Sequence, residues 1–279
     1  MSQATELRKL LASGETLVMP DAYDPLSARI IEKLGFQAVQ CSGFSMALAA
    51  CCSEPEFGFE RNVSATEGIV KAVSVPVMAD GEDGFGDASA MAQTIEGYVR
   101  AGVAGINIED QVLGVPGPRR IVEREAAVAK LRAAREAANA EGAPDLIING
   151  RTDALTASDS PEAGLREAAE RANLYLEAGA DLAFVIGVST LEQVRFLVRE
   201  IDGPLSIAAG MPNNMEQMSI AQLRDCGVAR VSLPSLAIFS AIGAMMRSLQ
   251  SVRDADGFEA VAADGIVCGM EQVGALLAP

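Results

Sequence analysis

Four times in this chain a helix-forming run ends at glycine and passes straight into a short apolar run. These are LGFQAVQC at 34–41, AGVAGINI at 101–108, AGADLAFV at 178–185 and CGVARVSL at 226–233. Glycine at that point closes a helix in a left-handed turn and releases the chain into a strand. Between these turns Pro76, Pro144 and Pro204 enter further apolar runs. A turn from helix to strand, repeated along the chain in this alternation, restricts the fold to serial strand–helix units.

Read in order, a lead helix over about 4–13 precedes a strand at 16–20 that ends in Asp21. Asp24 and Pro25 open a helix through Lys33, with the acid as cap and proline in the first turn. Strands follow at 38–42, 76–80, 105–109, 145–149, 182–186, 205–209 and 230–233. Helices fall at 62–73, 89–100, 123–140, 161–178, 191–201, 218–226 and 236–253, and a segment at 257–278 is left over. The strands are continuous apolar runs, as expected of parallel strands covered by helices. Eight such units predict an α/β fold, a (β/α)8 TIM barrel forming one domain over 1–279, with residues 236–279 as C-terminal helices. A doubly wound open sheet is the alternative.

Composition narrows the chemistry. Apolar residues make up 49% of the 279, aromatics 4% and Trp none, so the core is aliphatic. A net charge of −16 argues against nucleic acid and anionic membranes as partners, while leaving a small anionic substrate open. Five cysteines without CxxC spacing suit a reduced, cytoplasmic chain, and neither a signal-peptide core nor a long apolar run is present. Histidine is absent. That excludes Ser-His and Cys-His nucleophiles, His-ligated zinc and imidazole proton shuttles. Acid–base work must fall to carboxylates, Lys, Tyr, Cys or metal-bound water.

A barrel of this kind carries its active site at the C-terminal ends of its strands. Those ends read Asp21 and Tyr23; Ser42, Gly43 and Ser45; Asp80 and Glu82; Glu109 and Asp110; Arg151 and Asp153. The last three strands offer mainly small or neutral groups, including Gly187, Asn213, Asn214, Ser232 and Ser235. The stretch VPVMADGEDGFGD at 75–87 delivers acids onto a glycine-rich loop, and hard oxygen ligands of that sort suit Mg²⁺. Arg151 can form a bidentate pair with a ligand carboxylate. Ser42-Gly43 can present N–H groups to an oxyanion or be a plain turn. Asp110 and Asp153 read as loop caps or partners of Arg151, and Cys51-Cys52 as buried small residues.

YDPLSARIIEKLGFQAV, CSGFSMALA, DGEDGFGD, GINIEDQ, INGRTDA and the Ala-Gly-Ala-Asp at 178–181 resemble, in order, the isocitrate lyase/phosphoenolpyruvate mutase superfamily. The resemblance covers about Leu17 to Ser235. It implies Mg²⁺ (or Mn²⁺) held directly by Asp80, with Glu82 and Glu109 reaching it mostly through water. It implies Arg151 on a substrate carboxylate, and Ser42, Gly43, Phe44 and Ser45 supplying N–H groups to a 2-oxo or enolate oxygen. Glu56 lies where relatives carry an Asp on the gating loop. Tyr23 is a further candidate acid. The resemblance also implies that the C-terminal helices pack on, or swap with, a partner subunit in a homodimer or homotetramer.

Two departures bear on activity. Relatives commonly show Asp-x-Asp-x-Gly-Tyr-Gly where this chain has Glu82 and Phe85. The loop after the fourth strand, VLGVPGPRRIV, lacks both the Lys-(Lys/Arg)-Cys-Gly-His of the lyase branch and the Lys-x-Asn of the mutase branch. The expected function is Mg²⁺-dependent carbon–carbon cleavage or decarboxylation of a small 2-oxo or 2-hydroxy (di)carboxylate. Phosphorus–carbon chemistry on phosphonopyruvate or phosphoenolpyruvate, and a non-catalytic oxoacid-binding barrel, are the alternatives.

Overall fold

The computed structural model describes residues 2–277; Ala278 and Pro279, at the end of the expected C-terminal segment, lie outside the described residues. Eight parallel strands close on themselves in sequence order, which removes the open-sheet alternative. They are β1 (Leu17–Ala22), β2 (Val39–Cys41), β3 (Val77–Asp80), β4 (Gly105–Glu109), β5 (Ile147–Thr152), β6 (Leu182–Val185), β7 (Leu205–Ala208) and β8 (Arg230–Leu233). Closure is made by β8 on β1, with Leu17 opposite Arg230 and Pro20 opposite Leu233.

Helix α1 (Gln3–Ala12) lies at the N-terminal end of the barrel, where Leu7 joins Leu17, Met19, Met78 and Ile147 in a buried plug. Helix α2 (Pro25–Lys33) starts as expected, Asp24 capping it by accepting from the Ser27 N–H at 2.7 Å. Gly102 and Gly179 take φ of 84° and 108°, the left-handed turns expected before β4 and β6.

Several local features depart from what the sequence predicts. A short helix, α3 (Gly43–Ala49), follows β2, because the Ser42 side chain caps it by accepting from the Ser45 N–H. Helix α4 (Glu54–Ala72) begins eight residues before the expected 62, with a kink at Gly58, whose φ of 68° breaks the helical path. Cys51 is exposed with φ of 55°, because it forms the turn between α3 and α4 rather than packing inward. β5 also runs on through Thr152, so Arg151 is a strand residue in register with Glu109 rather than a loop residue.

The outer ring continues with α5 (Met91–Ala101), α6 (Arg124–Ala140), α7 (Ala154–Ala157), α8 (Pro161–Glu177), α9 (Leu191–Glu200) and α10 (Ile220–Asp225). The aliphatic core fills the space between these helices and the strands. Three more helices close the chain: α11 (Leu236–Ala255), α12 (Glu259–Asp264) and α13 (Met270–Leu277). α13 returns to its own barrel beside α2, where Arg29 donates to the Leu276 carbonyl at 3.1 Å. Of the twenty residues of α11, only Ile238 is buried. No helix among the described residues is long and apolar enough to cross a membrane.

Inside the barrel a polar layer lies below the strand ends. Arg230 donates to Ser206 Oγ at 2.7 Å and to the Gln40 amide oxygen, and its guanidinium faces the Phe184 ring. Asn149, with its amide oxygen turned to Arg230, accepts from Nη1 at 3.0 Å. Burial lowers the Arg230 pKa to about 10, against the opposing pull of Asp21 and Asp80.

Candidate active site

A cavity of about 490 Å³ opens at the C-terminal mouth of the barrel. β3 brings Asp80 to its wall, β4 brings Glu109, and β5 brings Arg151. Glu109 and Arg151 are opposite one another in the strand register, and their side chains pair at 2.6 Å. Arg151 also donates from Nε to Asp153 at 2.9 Å, and Arg119, from the loop after β4, pairs with the same Asp153 carboxylate. Burial opposes the charge on Arg151, but Asp153 and Glu109 more than offset that and hold it firmly protonated.

Asp80 accepts from the Gly43 N–H at 2.9 Å, joining the end of β3 to the start of α3. Gly43 is needed there for space, since a Cβ would lie 2.9 Å from the Glu82 carboxylate. Glu82 itself takes φ of 47°, and its carboxylate accepts from Asn62 at 2.9 Å behind the cavity wall rather than on it. Burial, then Asp80 and Glu54, push its pKa up to about 8. Burial also raises Asp21 and Glu109, with Arg230 opposing it at Asp21 and Arg151 opposing it at Glu109.

The remaining sequence candidates are placed differently. Ser42 and Phe44 line the cavity. Ser45 is buried and shares a 3.3 Å hydroxyl contact with Ser235. Tyr23 packs against the cluster containing Ala28, Val39 and Phe57 and is not among the lining residues. Glu56 is exposed and accepts from the Ser53 N–H at 2.9 Å, closing a capping box at the start of α4. Asp110 is a buried anchor that accepts from Thr152, Tyr175, Arg171 and the Asp153 N–H.

Glu54, two residues before Glu56, is the lining acid that the sequence reading passed over. It opens the one-turn segment between the left-handed Cys51 and the kink at Gly58. Among the described residues its carboxyl has no hydrogen bond or ion pair, unlike the other acids of the wall. Burial and the nearby Asp80 raise its pKa to about 7, with Arg151 opposing them. The signal in the sequence was the capping box itself, which commits the second acid of EPE to the helix end and frees the first.

The wall also tests for a cation. Four carboxylates (Asp21, Glu54, Asp80 and Glu109) face two guanidiniums that are themselves paired with acids. No three Asp, Glu or Cys side chains among the described residues form a ready-made ligand cluster. Mg²⁺ does not need one, because it is commonly held by one or two carboxylates with water and ligand filling its shell. The donors are all oxygen and carry uncompensated negative charge, so the residues fit such an ion. Asp80 and Glu109, on the wall, are the residues that would hold it, whereas Glu82 is turned to Asn62 behind the wall.

The chain is similar to several known proteins. A family model described as phosphoenolpyruvate phosphomutase matches residues 7–253. The chain is 32% identical to a 2,3-dimethylmalate lyase of Eubacterium barkeri, over 92% of this chain and 88% of that one. It is 30% identical to a 2-methylisocitrate lyase of Halalkalibacterium halodurans, over 90% and 82%. A solved phosphonopyruvate hydrolase in complex with oxalate and magnesium superposes with a TM-score of 0.86 at 26% identity, covering 99% of this chain and 95% of that one.

Proposed function

The chain belongs to the phosphoenolpyruvate phosphomutase family, within the isocitrate lyase/phosphoenolpyruvate mutase superfamily, and from that premise we propose that it is a magnesium-dependent lyase. It cleaves a carbon–carbon or carbon–carboxylate bond of a small oxoacid. The observation that carries this is the unpartnered Glu54 carboxyl facing Asp80, Glu109 and Arg151 across one cavity. Arg151 holds the substrate carboxylate, and Ser42 and Phe44, the residues of the α3 turn that line the cavity, flank the 2-oxo end, since the Gly43 and Ser45 N–H groups are given to Asp80 and Ser42. Magnesium, when bound at Asp80, supplies positive charge for the enolate oxygen. Glu54 moves the proton. Neither Tyr23 nor Glu56 faces the cavity as Glu54 does.

One observation favours phosphorus–carbon chemistry: Arg119 adds a second guanidinium to the wall. Both guanidiniums of the wall are already paired with Asp153, and Arg151 with Glu109 as well, which leaves little free positive charge for a phosphonate dianion, and Arg120 is exposed. A panel of oxoacids, 2-hydroxy dicarboxylates and phosphonopyruvate, assayed for pyruvate release with and without Mg²⁺, tests the reading. Pyruvate from a carbon-only substrate that stops with chelator is expected. Release from phosphonopyruvate alone would select the second reading, and oxalate binding with no turnover would leave a binding protein.

We infer further that the protein works as a homodimer or homotetramer in a reducing, cytoplasmic setting, its barrel acting as one unit with the C-terminal helices at the contact. Met245, Met246 and Leu249 on α11 and Leu34 beyond α2 are 60–71% exposed, apolar surface that a second copy would cover. All five cysteines are free thiols.

A further inference from the structure

The cavity has two unlike halves. The charged half comes from β3 to β5 and the start of α4: Asp80, Glu109, Arg151, Glu54 and Arg119. The other half, from β6 round to α11 and across to α3, presents Phe184, Ile186, Val188, Met211, Phe239 and Phe44. Among the described residues, no element of that half contributes a cationic side chain to the lining. Arg151 adjoins it, in register with Phe184, but is paired with Glu109 and Asp153; Arg230 is buried on β8, lies 5.4 Å from the Phe184 ring and spends its N–H groups on Ser206 and Gln40.

Apart from Asn213 at the rim, the polar groups of the apolar half are already engaged. Asn214 donates to the carbonyls of Ala208 and Val188 and accepts from the Met211 N–H. Ser232 donates to Asp21, Ser235 meets Ser45, and Thr156 donates to the Asp153 carbonyl. Asn213 lies exposed at the rim. Below that rim amide, a second carboxylate on the ligand would therefore lose its water against this wall without gaining a partner, which is strongly unfavourable. An apolar arm would lose nothing there.

Resting on the lyase reading of this same site, we propose that the substrate is a 4-hydroxy-2-oxo monocarboxylate whose arm beyond C4 is apolar. It is cleaved in the retro-aldol direction to pyruvate and an apolar aldehyde. The single carboxylate is held at Arg151, and the arm lies along Phe184, Ile186 and Met211. Glu54 takes the proton of the C4 hydroxyl. The C3–C4 bond then breaks, its electron pair passing to C2–C3 while the C2 oxygen takes up the charge. The same Glu54 carboxyl returns the proton to C3. The balance is R–CHOH–CH₂–CO–COO⁻ to R–CHO and CH₃–CO–COO⁻, with no water or redox partner needed. One proton-carrying group suffices, and the wall has one without a partner.

The test separates the arm from the chemistry. Calorimetric binding to the full chain with Mg²⁺ compares 4-methyl-2-oxopentanoate with 2-oxoglutarate, neither of which carries a C4 hydroxyl. We expect the apolar acid to bind at least about tenfold more tightly, a difference of about 1.4 kcal/mol. Met211→Lys, on a half-buried loop residue, should narrow or reverse that ratio. Equal or tighter binding of 2-oxoglutarate to the unaltered protein overturns the apolar arm. Pyruvate release from 4-hydroxy-2-oxohexanoate and 4-hydroxy-2-oxoglutarate then tests cleavage, with the former expected to be faster. Pyruvate from other oxoacids but from neither of these overturns the retro-aldol step while the lyase reading stands. Tight apolar binding with no pyruvate from any substrate overturns the cleavage and the lyase reading together.

Discussion

Replacing Glu54 by Gln removes a titrating proton and keeps the side chain's shape, and it should lower activity while raising stability. Moving a carboxyl from its usual 4.5 to about 7 amounts to about 3 kcal/mol against ionisation if felt in full. The side chain is only partly buried, so solvent screening brings the expected figure to about 1 kcal/mol. The folded chain holds this proton more tightly than the unfolded chain does. The stabilisation is therefore complete below about pH 4.5 and is lost as pH rises through about 7. The neutral amide has no such loss. Thermal melts in chelator should show the unaltered protein falling by about 2–4 °C relative to the variant between pH 5 and pH 8. Pyruvate release should drop by about 10²–10⁴ in the variant. Activity within threefold of the unaltered protein, together with parallel melting curves from pH 5 to 8, would refute the assignment of Glu54.

Asp80→Ala should abolish turnover and weaken Mg²⁺ binding measured by calorimetry, with the circular dichroism spectrum unchanged; full activity, or indifference to chelator, counts against the metal site. Arg151→Gln leaves Glu109 and Asp153 as buried acids without their main partner and should cost about 3–5 kcal/mol in urea unfolding. A loss under 1 kcal/mol would mean that the pair is not formed. 2-Methylisocitrate should not be cleaved usefully, because the loop at 111–121 contains no acid and the apolar half of the cavity offers no cation for its further carboxylates; turnover on the order of 1 s⁻¹ would count against both. Sedimentation at micromolar concentration should show a dimer or tetramer, and a monomer would mean that the apolar face of α11 is tolerated in water.

The barrel was legible because its signals are local. Gly35, Gly102, Gly179 and Gly227 each need only their own backbone to turn a helix into a strand. Asp24 needs only Ser27 to cap α2. The apolar runs needed no alternation to be read as strands covered by helices. The short helices α3 and α7 escaped because each is held by a neighbour's side chain or by packing rather than by a periodic pattern. The long reach of α4 back to Glu54 escaped because the kink at Gly58 interrupts the pattern.

Residue type and position along the chain by themselves determined that acids gather after β3 and β4, that one Arg follows on β5, and that histidine chemistry is excluded. Which acid faces the ligand was decided by the tertiary structure. Glu54 and Glu56 are equal in chemistry and two residues apart, yet one turn of helix aims the first into the cavity and gives the second to the Ser53 cap. Glu82 turns to Asn62 behind the wall while Asp80, two residues earlier, stays on it. The apolar half of the cavity is assembled from α3, β6, the loops after β6 and β7, and α11, segments up to about two hundred residues apart. Only closure of the barrel brings them to one wall, because the direction of a side chain is set by the backbone that carries it and by the neighbours that exclude every other direction.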